Sequence, residues 1–390
     1  MAAQSLIAGH LQEKKGYLYI VLNYNDEYGR RKTKWQSTGL TVKGNKKKAE
    51  ALLMEARQNF VEPAIVTSSD ILFADYMLHW LEIAKSTIEL TTYSSYQNSV
   101  QNIIVPYFRK KKLRLSELTA KDIQEFYIEQ LKRVSASSVI HYHANIHKAL
   151  KYAVKMDMIN YNPADKVERP KREKFTGGFY SSEEINRLIE STSGTALELA
   201  VLFGSFYGLR RSEIVGLKWD AIDFKNNTLI IRHIVTTCNI DGKSTTVAKD
   251  RTKTKSSLRT LPLVPVFREK LLAIKEKQEA NQALCKRSYN KKYLDYIYVD
   301  ELGELIKPGY ITTTFPKHLD KQNMRKIRFH DLRHSCASLL LANGVPMKQI
   351  QEWLGHSDFS TTANIYAHLD FNSKISSANA MTQCIQIPAI

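Results

Sequence analysis

Two arginines, two histidines, a lysine and a tyrosine stand at spacings that could together break a phosphodiester. Arg210 follows Gly208-Leu209 and is trailed by Glu213; Lys253 stands between Thr252 and Thr254; His330 and Arg333 are three residues apart; His356 follows Leu354-Gly355; Tyr366 comes ten residues later. Cleavage of a phosphodiester by a side chain passes through a pentavalent phosphorus with added negative charge on its non-bridging oxygens. Arginine donates two hydrogen bonds to such oxygens and stays charged at any relevant pH. Two arginines therefore take over the electrostatic role that a metal ion plays elsewhere. His330 and Arg333 share a helix face. A histidine titrating near neutrality can donate to the phosphate or take a proton from a phenol. A tyrosine oxygen is a poor nucleophile at its ordinary pKa near 10, and cationic neighbours would stabilise the phenolate. A lysine on a hairpin, with Lys253 the candidate among Lys249, Arg251 and Lys255, could protonate the leaving deoxyribose oxygen.

Taken singly, each residue has a plainer reading. An arginine after Gly-Leu is commonly a surface or capping residue, His330 a helix cap or core histidine, and Tyr366 a half-buried helix tyrosine. The joint arrangement carries the argument. No HExxH, no carboxylate pair of the two-metal kind and no GxxxxGK[ST] loop is present, so neither a metal nor ATP is implied.

The bulk properties bound the setting. The 390 residues are too many for one ordinary core and predict two or three domains. The net charge of +18 is spread along the chain and points to a polyanionic partner, most simply nucleic acid. The four cysteines form no CxxC pair, which fits a reducing cytosol, and no apolar stretch approaches a spanning helix.

Three segments must position the chemistry. Residues 1–66 hold a strand-like run at 16–22 and a basic run at 30–39, then a helix over about 47–61 with Ala49, Leu52, Leu53, Ala56 and Phe60 apolar. Strand alternation puts Lys32, Lys34 and Gln36 on one face and Thr33, Trp35 and Ser37 on the other. The first face is expected to meet DNA, or else to be the solvated side of a small sheet. Residues 67–174 read as four helices and a basic linker; the runs Arg109-Lys110-Lys111-Lys112 and Lys132-Arg133 are expected phosphate contacts or solvated charge. His143 and His147 stand at i, i+4 without an evident third ligand, so no metal is expected. Residues 175–390 are mixed: a capping box at Ser181–Glu184, an apolar helix over 196–207, strands near 228–235 and 259–263 around an Asp241-Gly242 turn, and helices over 331–343, 346–353 and 361–368. Periodicity alone gives a mainly helical multidomain protein with small sheets.

On these motifs the chain resembles the tyrosine recombinase family, in particular integrases of the temperate-phage and conjugative-transposon type. The Gly208–Glu213 run matches the family's G-L-R-x-[ST]-E box, Lys253 its hairpin lysine, His330 and Arg333 its H-x-x-R box, His356 its L-G-H box and Tyr366 its nucleophile. Leu258 before Arg259 departs from relatives with two basic residues there. The resemblance implies an arm-site-binding sheet plus helix over 1–66, a helical core-site-binding domain over 67–174 and an α+β catalytic domain with a C-terminal tail over 175–390. It implies attack by Tyr366, a 3′-phosphotyrosyl link and a four-way junction, with catalytic residues Arg210, Lys253, His330, Arg333, His356 and Tyr366 and with Glu213 in support. It further implies no cofactor, double-stranded DNA with core and arm sites as partner, a homotetramer on two sites, an excisionase or host bending factor as accessory, and a cytoplasmic, nucleoid-associated bacterial protein away from membranes. The apolar run Ile385-Gln386-Ile387 is expected to dock on a neighbouring protomer. A chromosome-dimer-resolving recombinase and a non-catalytic DNA-binding regulator of the same fold are the alternatives.

Overall fold

The computed structural model describes residues 8–25, 31–58, 71–172, 178–250 and 258–355. Lys253, His356 and Tyr366, the expected helix over 361–368 and the C-terminal tail lie outside them. The chain divides into two compact units, one comprising residues 1–72 with 114–117 and 153–161, the other the remainder.

In the first unit β1 (Ala8–Lys14), β2 (Tyr17–Asn25) and β3 (Arg31–Thr41) form an antiparallel sheet in the order β1-β2-β3. Helix α1 (Lys46–Gln58) packs on it through Ala49, which is fully buried. The alternation of β2 decides which side is covered. Leu18, Ile20 and Leu22 are buried on one face. Gly9, paired with Leu22, lies so close to Leu53 of α1 that an added Cβ would stand 3.3 Å from it.

The register corrects one expectation. Gln36 pairs with Ile20 and Lys34 with Leu22, and directly paired residues share a face. Lys34 and Gln36 therefore lie on the helix side. The uncovered face carries His10, Gln12, Lys14, Tyr19, Thr33 and Trp35. Trp35 is 46% exposed, edge-on to Tyr19, with the Lys14 ammonium 5.5 Å from its ring centre. It does not form the apolar backing of the sheet.

The second unit begins with helices α2 (Phe73–Lys85), α3 (Leu90–Ser99), α4 (Val105–Lys111), α5 (Ala120–Leu131) and α6 (Ala136–Lys155), the last counted with it up to Tyr152. The sequence reads α3 and α4 as one helix, and they are joined by a π-helical turn over Val100–Ile104. Pro106 explains the turn: it has no N–H to donate into the preceding turn, and the wider turn accommodates the missing bond. Lys112 ends α4 in a left-handed conformation. Thr119 and Asp122 cap α5 reciprocally. Phe73, Tyr76, Phe108, Phe126 and Tyr127 are buried among these helices.

The rest of the unit follows as α7 (Ser182–Thr192), α8 (Glu198–Phe206), α9 (Arg211–Val215), β4 (Ile222–Asp223), β5 (Thr228–Ile231), β6 (His233–Ile240), β7 (Lys243–Asp250) and β8 (Arg259–Pro262). Helices α10 (Pro265–Cys285), α11 (Pro308–Lys321), α12 (Asp331–Ala342) and α13 (Met347–Leu354) follow. Strands β4-β5-β8 form one sheet and β6-β7 a hairpin. Asp241 and Gly242, both at positive φ, make the two-residue turn that the sequence predicts. The hairpin is tied to α3: Ser94 exchanges hydrogen bonds with the backbone of Asn239, Gln97 donates to Asp241 at 2.6 Å, and Lys249 pairs with Glu89 at 2.9 Å. These bonds steady the strand that leads into the Lys253 segment.

Candidate active site

Arg210 is delivered by a tight turn. Gly208 sits at φ +62, and a Cβ there would come within 2.3 Å of Leu354, so only glycine lets α8 turn this close under α13. Arg210 then caps α9, its N–H donating to Glu213 Oε2 at 2.9 Å. Its side chain is 28% exposed and donates to Glu213 Oε1 at 2.9 Å and to the Gly355 carbonyl at 3.3 Å. Gly355 ends α13 in the left-handed conformation, one residue before His356.

Arg333 enters from the first turn of α12. It is buried, donating to the Gly208 carbonyl at 2.7 Å and the Leu354 carbonyl at 2.6 Å. The two arginine segments thus share their supports: the turn that presents Arg210 holds Arg333, and the end of α13 holds both. Burial, then repulsion from Arg210, pushes the Arg333 guanidinium down to about 9, so it remains charged at neutral pH.

Glu213 is completely buried behind them. Burial works to raise its carboxyl, but Arg259, then Arg210 and Arg333, hold it at about 2. Arg259 reaches both carboxylate oxygens, at 3.3 and 3.0 Å. Among the described residues three guanidiniums therefore surround one carboxylate, a local excess of positive charge.

His330 immediately precedes α12 and borders a cavity of about 510 Å³ together with Arg210, Arg211, Thr236, Thr312 and Arg328. By surface area the residue is exposed, yet protein atoms crowd its ring. That crowding, then His334, Arg333 and Arg210, lower its pKa to about 4, leaving it neutral at pH 7. Its ring meets that of His334 edge-on at 5.3 Å. Asp331, 2% exposed, takes the guanidinium of Arg328 at 2.7 Å and the Arg328 N–H at 2.8 Å, fixing the entry into α12.

Of the expected site residues, Arg210, Glu213, His330 and Arg333 converge here, while Lys253, His356 and Tyr366 lie outside the described residues. The other expected contacts are elsewhere: Lys34 and Gln36 are exposed on β3, Lys110, Lys111 and Lys112 at the end of α4, with Lys111 paired to Glu125 at 3.1 Å. No motif in the sequence marks Arg259 as a member of the site. A signal existed: Arg259 alternates with Leu261 and Leu263 on the covered side of a strand, where an arginine requires a buried acceptor.

Residues 179–373 match the family described as Phage integrase family, and residues 72–132 match its N-terminal SAM-like domain. The chain belongs to the phage integrase family and is a tyrosine recombinase of the phage or transposon type. It is 29% identical over 343 residues to a "Tyrosine recombinase XerC-like" of Caldanaerobacter subterraneus, covering 83% of this chain and 86% of that one. To the "Prophage ps2 probable integrase" of Lactococcus lactis it is 28% identical over 349 residues, covering 85% and 87%. The Tn1549 transposon integrase, solved with a circular intermediate DNA, has the same fold, with a TM-score of 0.65 at 17% identity over 79% of this chain and 98% of that one. Among the described residues no helix is long and apolar enough to cross a membrane.

Proposed function

We propose that the chain integrates and excises a mobile element by tyrosine-mediated cleavage and rejoining of double-stranded DNA. The observation that carries this reading is the convergence of Arg210 with His330 and Arg333, from two segments far apart in the chain: Arg210 and His330 border one cavity, and Arg210 and Arg333 both bond the Leu354-Gly355 end of α13. In the proposed reaction Arg210 and Arg333 bind the non-bridging oxygens of the scissile phosphate. The Tyr366 oxygen attacks phosphorus, its proton passing to a histidine or solvent, and the bond to the 5′ oxygen breaks as Lys253 protonates it. His330, neutral in the free protein, gains basicity beside a bound phosphate and donates to it together with His356. The 3′-phosphotyrosyl bond conserves the energy of the broken ester, so no cofactor is consumed. A 5′-hydroxyl from the partner duplex reverses the step. Two such rounds pass through a Holliday junction, which calls for four protomers on two DNA sites.

In this reading residues 1–66 bind arm sites, residues 67–174 bind core sites, and residues 175–390 do the chemistry, with an excisionase or host bending factor as accessory. For arm binding the uncovered face of the sheet, with Gln12, Lys14, Thr33 and Trp35, replaces Lys32, Lys34 and Gln36 as the contact surface. The N-terminal sheet favours an integrase over a chromosome-dimer-resolving enzyme. The charged cluster favours an enzyme over a binding protein, because buried arginines are costly to retain without a use.

The test is trapping on a nicked suicide duplex bearing core sites from the element's ends, in EDTA. A DNA-linked band that survives denaturation and is absent with Tyr366→Phe supports the reading. Equal covalent capture by Tyr366→Phe overturns it.

A further inference from the structure

Arg259 occupies a position that the reaction as described does not use. It opens β8, directly after the segment that carries Lys253, and its side chain is 6% exposed. Its two terminal nitrogens donate to Glu213 Oε1 at 3.3 Å and Oε2 at 3.0 Å, while Nε donates to the Trp353 carbonyl at 3.0 Å. The same Glu213 oxygens accept from the Arg210 side chain and the Arg210 N–H, each at 2.9 Å. Trp353 lies in the last turn of α13, whose terminal Gly355 carbonyl accepts from Arg210 at 3.3 Å. The bonds close a ring: Arg259 to Glu213, Glu213 to Arg210, Arg210 to Gly355, and back through the end of α13 to Arg259.

A brace of that shape does more than neutralise a buried acid. It sets the rotamer of Arg210 through Glu213 and fixes the α13 terminus, from which His356 follows, relative to both. We propose that Arg259 is a positioning residue for strand cleavage, holding Arg210 and the Leu354-Gly355 end of α13 in one geometry. This rests on the assignment of Arg210 to the scissile phosphate. Lysine cannot substitute: a single ammonium does not present the planar fork that meets two carboxylate oxygens and a carbonyl at once.

The experiment is single-turnover cleavage of the suicide duplex by saturating protein, with DNA affinity and thermal unfolding measured alongside. The proteins are the wild type, Arg259→Lys, Arg259→Gln, Glu213→Gln and the double variant Arg259→Gln/Glu213→Gln. Misplacement of a reacting group by about 1 Å can cost about a hundredfold, so both Arg259 variants are expected to cleave about ten- to a hundredfold more slowly. Core-site affinity should stay within about threefold. Because the two residues act as one unit, the double variant should cleave about as slowly as Arg259→Gln alone.

Three results would overturn the proposal: wild-type cleavage by Arg259→Lys, losses that multiply in the double variant, or a loss fully accounted for by the unfolded fraction. If Arg259→Gln does not fold, Arg259→Lys decides alone, and failure of both to fold makes Arg259 structural and refutes the positioning role. A wild type that captures no DNA counts against the recombination chemistry itself, an outcome distinct from all of these.

Discussion

Two polar clusters of the second unit set histidines against buried groups, and among the described residues only one has the means to act on a phosphate. In the helical region the Tyr127 hydroxyl meets His143 Nδ1 at 2.7 Å, and His147 Nε2 meets Asp165 at 2.7 Å. Burial, with His147 next, lowers His143 to about 4, and burial raises the Tyr127 hydroxyl. Each group is matched by a neighbour, and among the described residues no set of three metal-ligating side chains forms. Around Glu213 the balance differs, with three guanidiniums to one carboxylate beside an open cavity. A perturbed histidine occurs in both places; the excess of cationic donors at a cavity edge is what separates a site from a core. By a lowered pKa alone His143 and His330 look alike.

The largest effect expected from this contrast is on cleavage. Arg210→Lys or Arg333→Lys should slow single-turnover cleavage about 10²–10³-fold, the usual cost of one lost oxyanion donor, while core-site affinity changes little. Equal losses of rate and affinity would mean that these arginines only bind DNA. Next is stability. Glu213→Gln leaves its arginines without their buried acid and should cost about 3–5 kcal/mol in urea unfolding, as breaking a buried pair does.

The helical cluster should respond to pH instead. His143 titrates near 4 when folded and near 6.5 when unfolded. The folded state therefore binds fewer protons between those values, and stability present above pH 6.5 is lost as pH falls toward 4, by up to about 3 kcal/mol. His143→Asn should flatten that slope and leave the cleavage rate at pH 7 within about twofold. A large drop in cleavage at pH 7 would erase the distinction between the clusters.

The smallest effect concerns the sheet. Lys14→Ala should weaken arm-DNA binding and reduce the salt slope by about one. Lys34→Ala, on the helix side, should change it less, and the reverse order would restore the original face assignment.

Much of this was legible in the sequence, for identifiable reasons. The Gly-Leu-Arg turn, the His330–Arg333 spacing and the Leu354-Gly355 step are local motifs, and the structure joins them: Arg210 and His330 line one cavity, and Arg210 and Arg333 both bond the end of α13. The Ser181–Glu184 cap and the Asp241-Gly242 turn are equally local and formed as expected. What escaped depends on tertiary partners. Strand alternation says that Lys34 and Gln36 share a face, but which face is covered follows from the pairing of β3 with β2. The π-helical turn before Pro106 and the three-way grip of Arg259 arise from neighbours distant in the chain or from backbone adjustment that periodicity does not record.

The central claim is that one tyrosine becomes bonded to DNA. The chain has 20 tyrosines, so the decisive measurement is mass spectrometry of the trapped wild-type complex after nuclease and protease digestion. The account predicts a nucleotide adduct on the peptide containing Tyr366 and on no other tyrosine. An adduct on a different residue would contradict it.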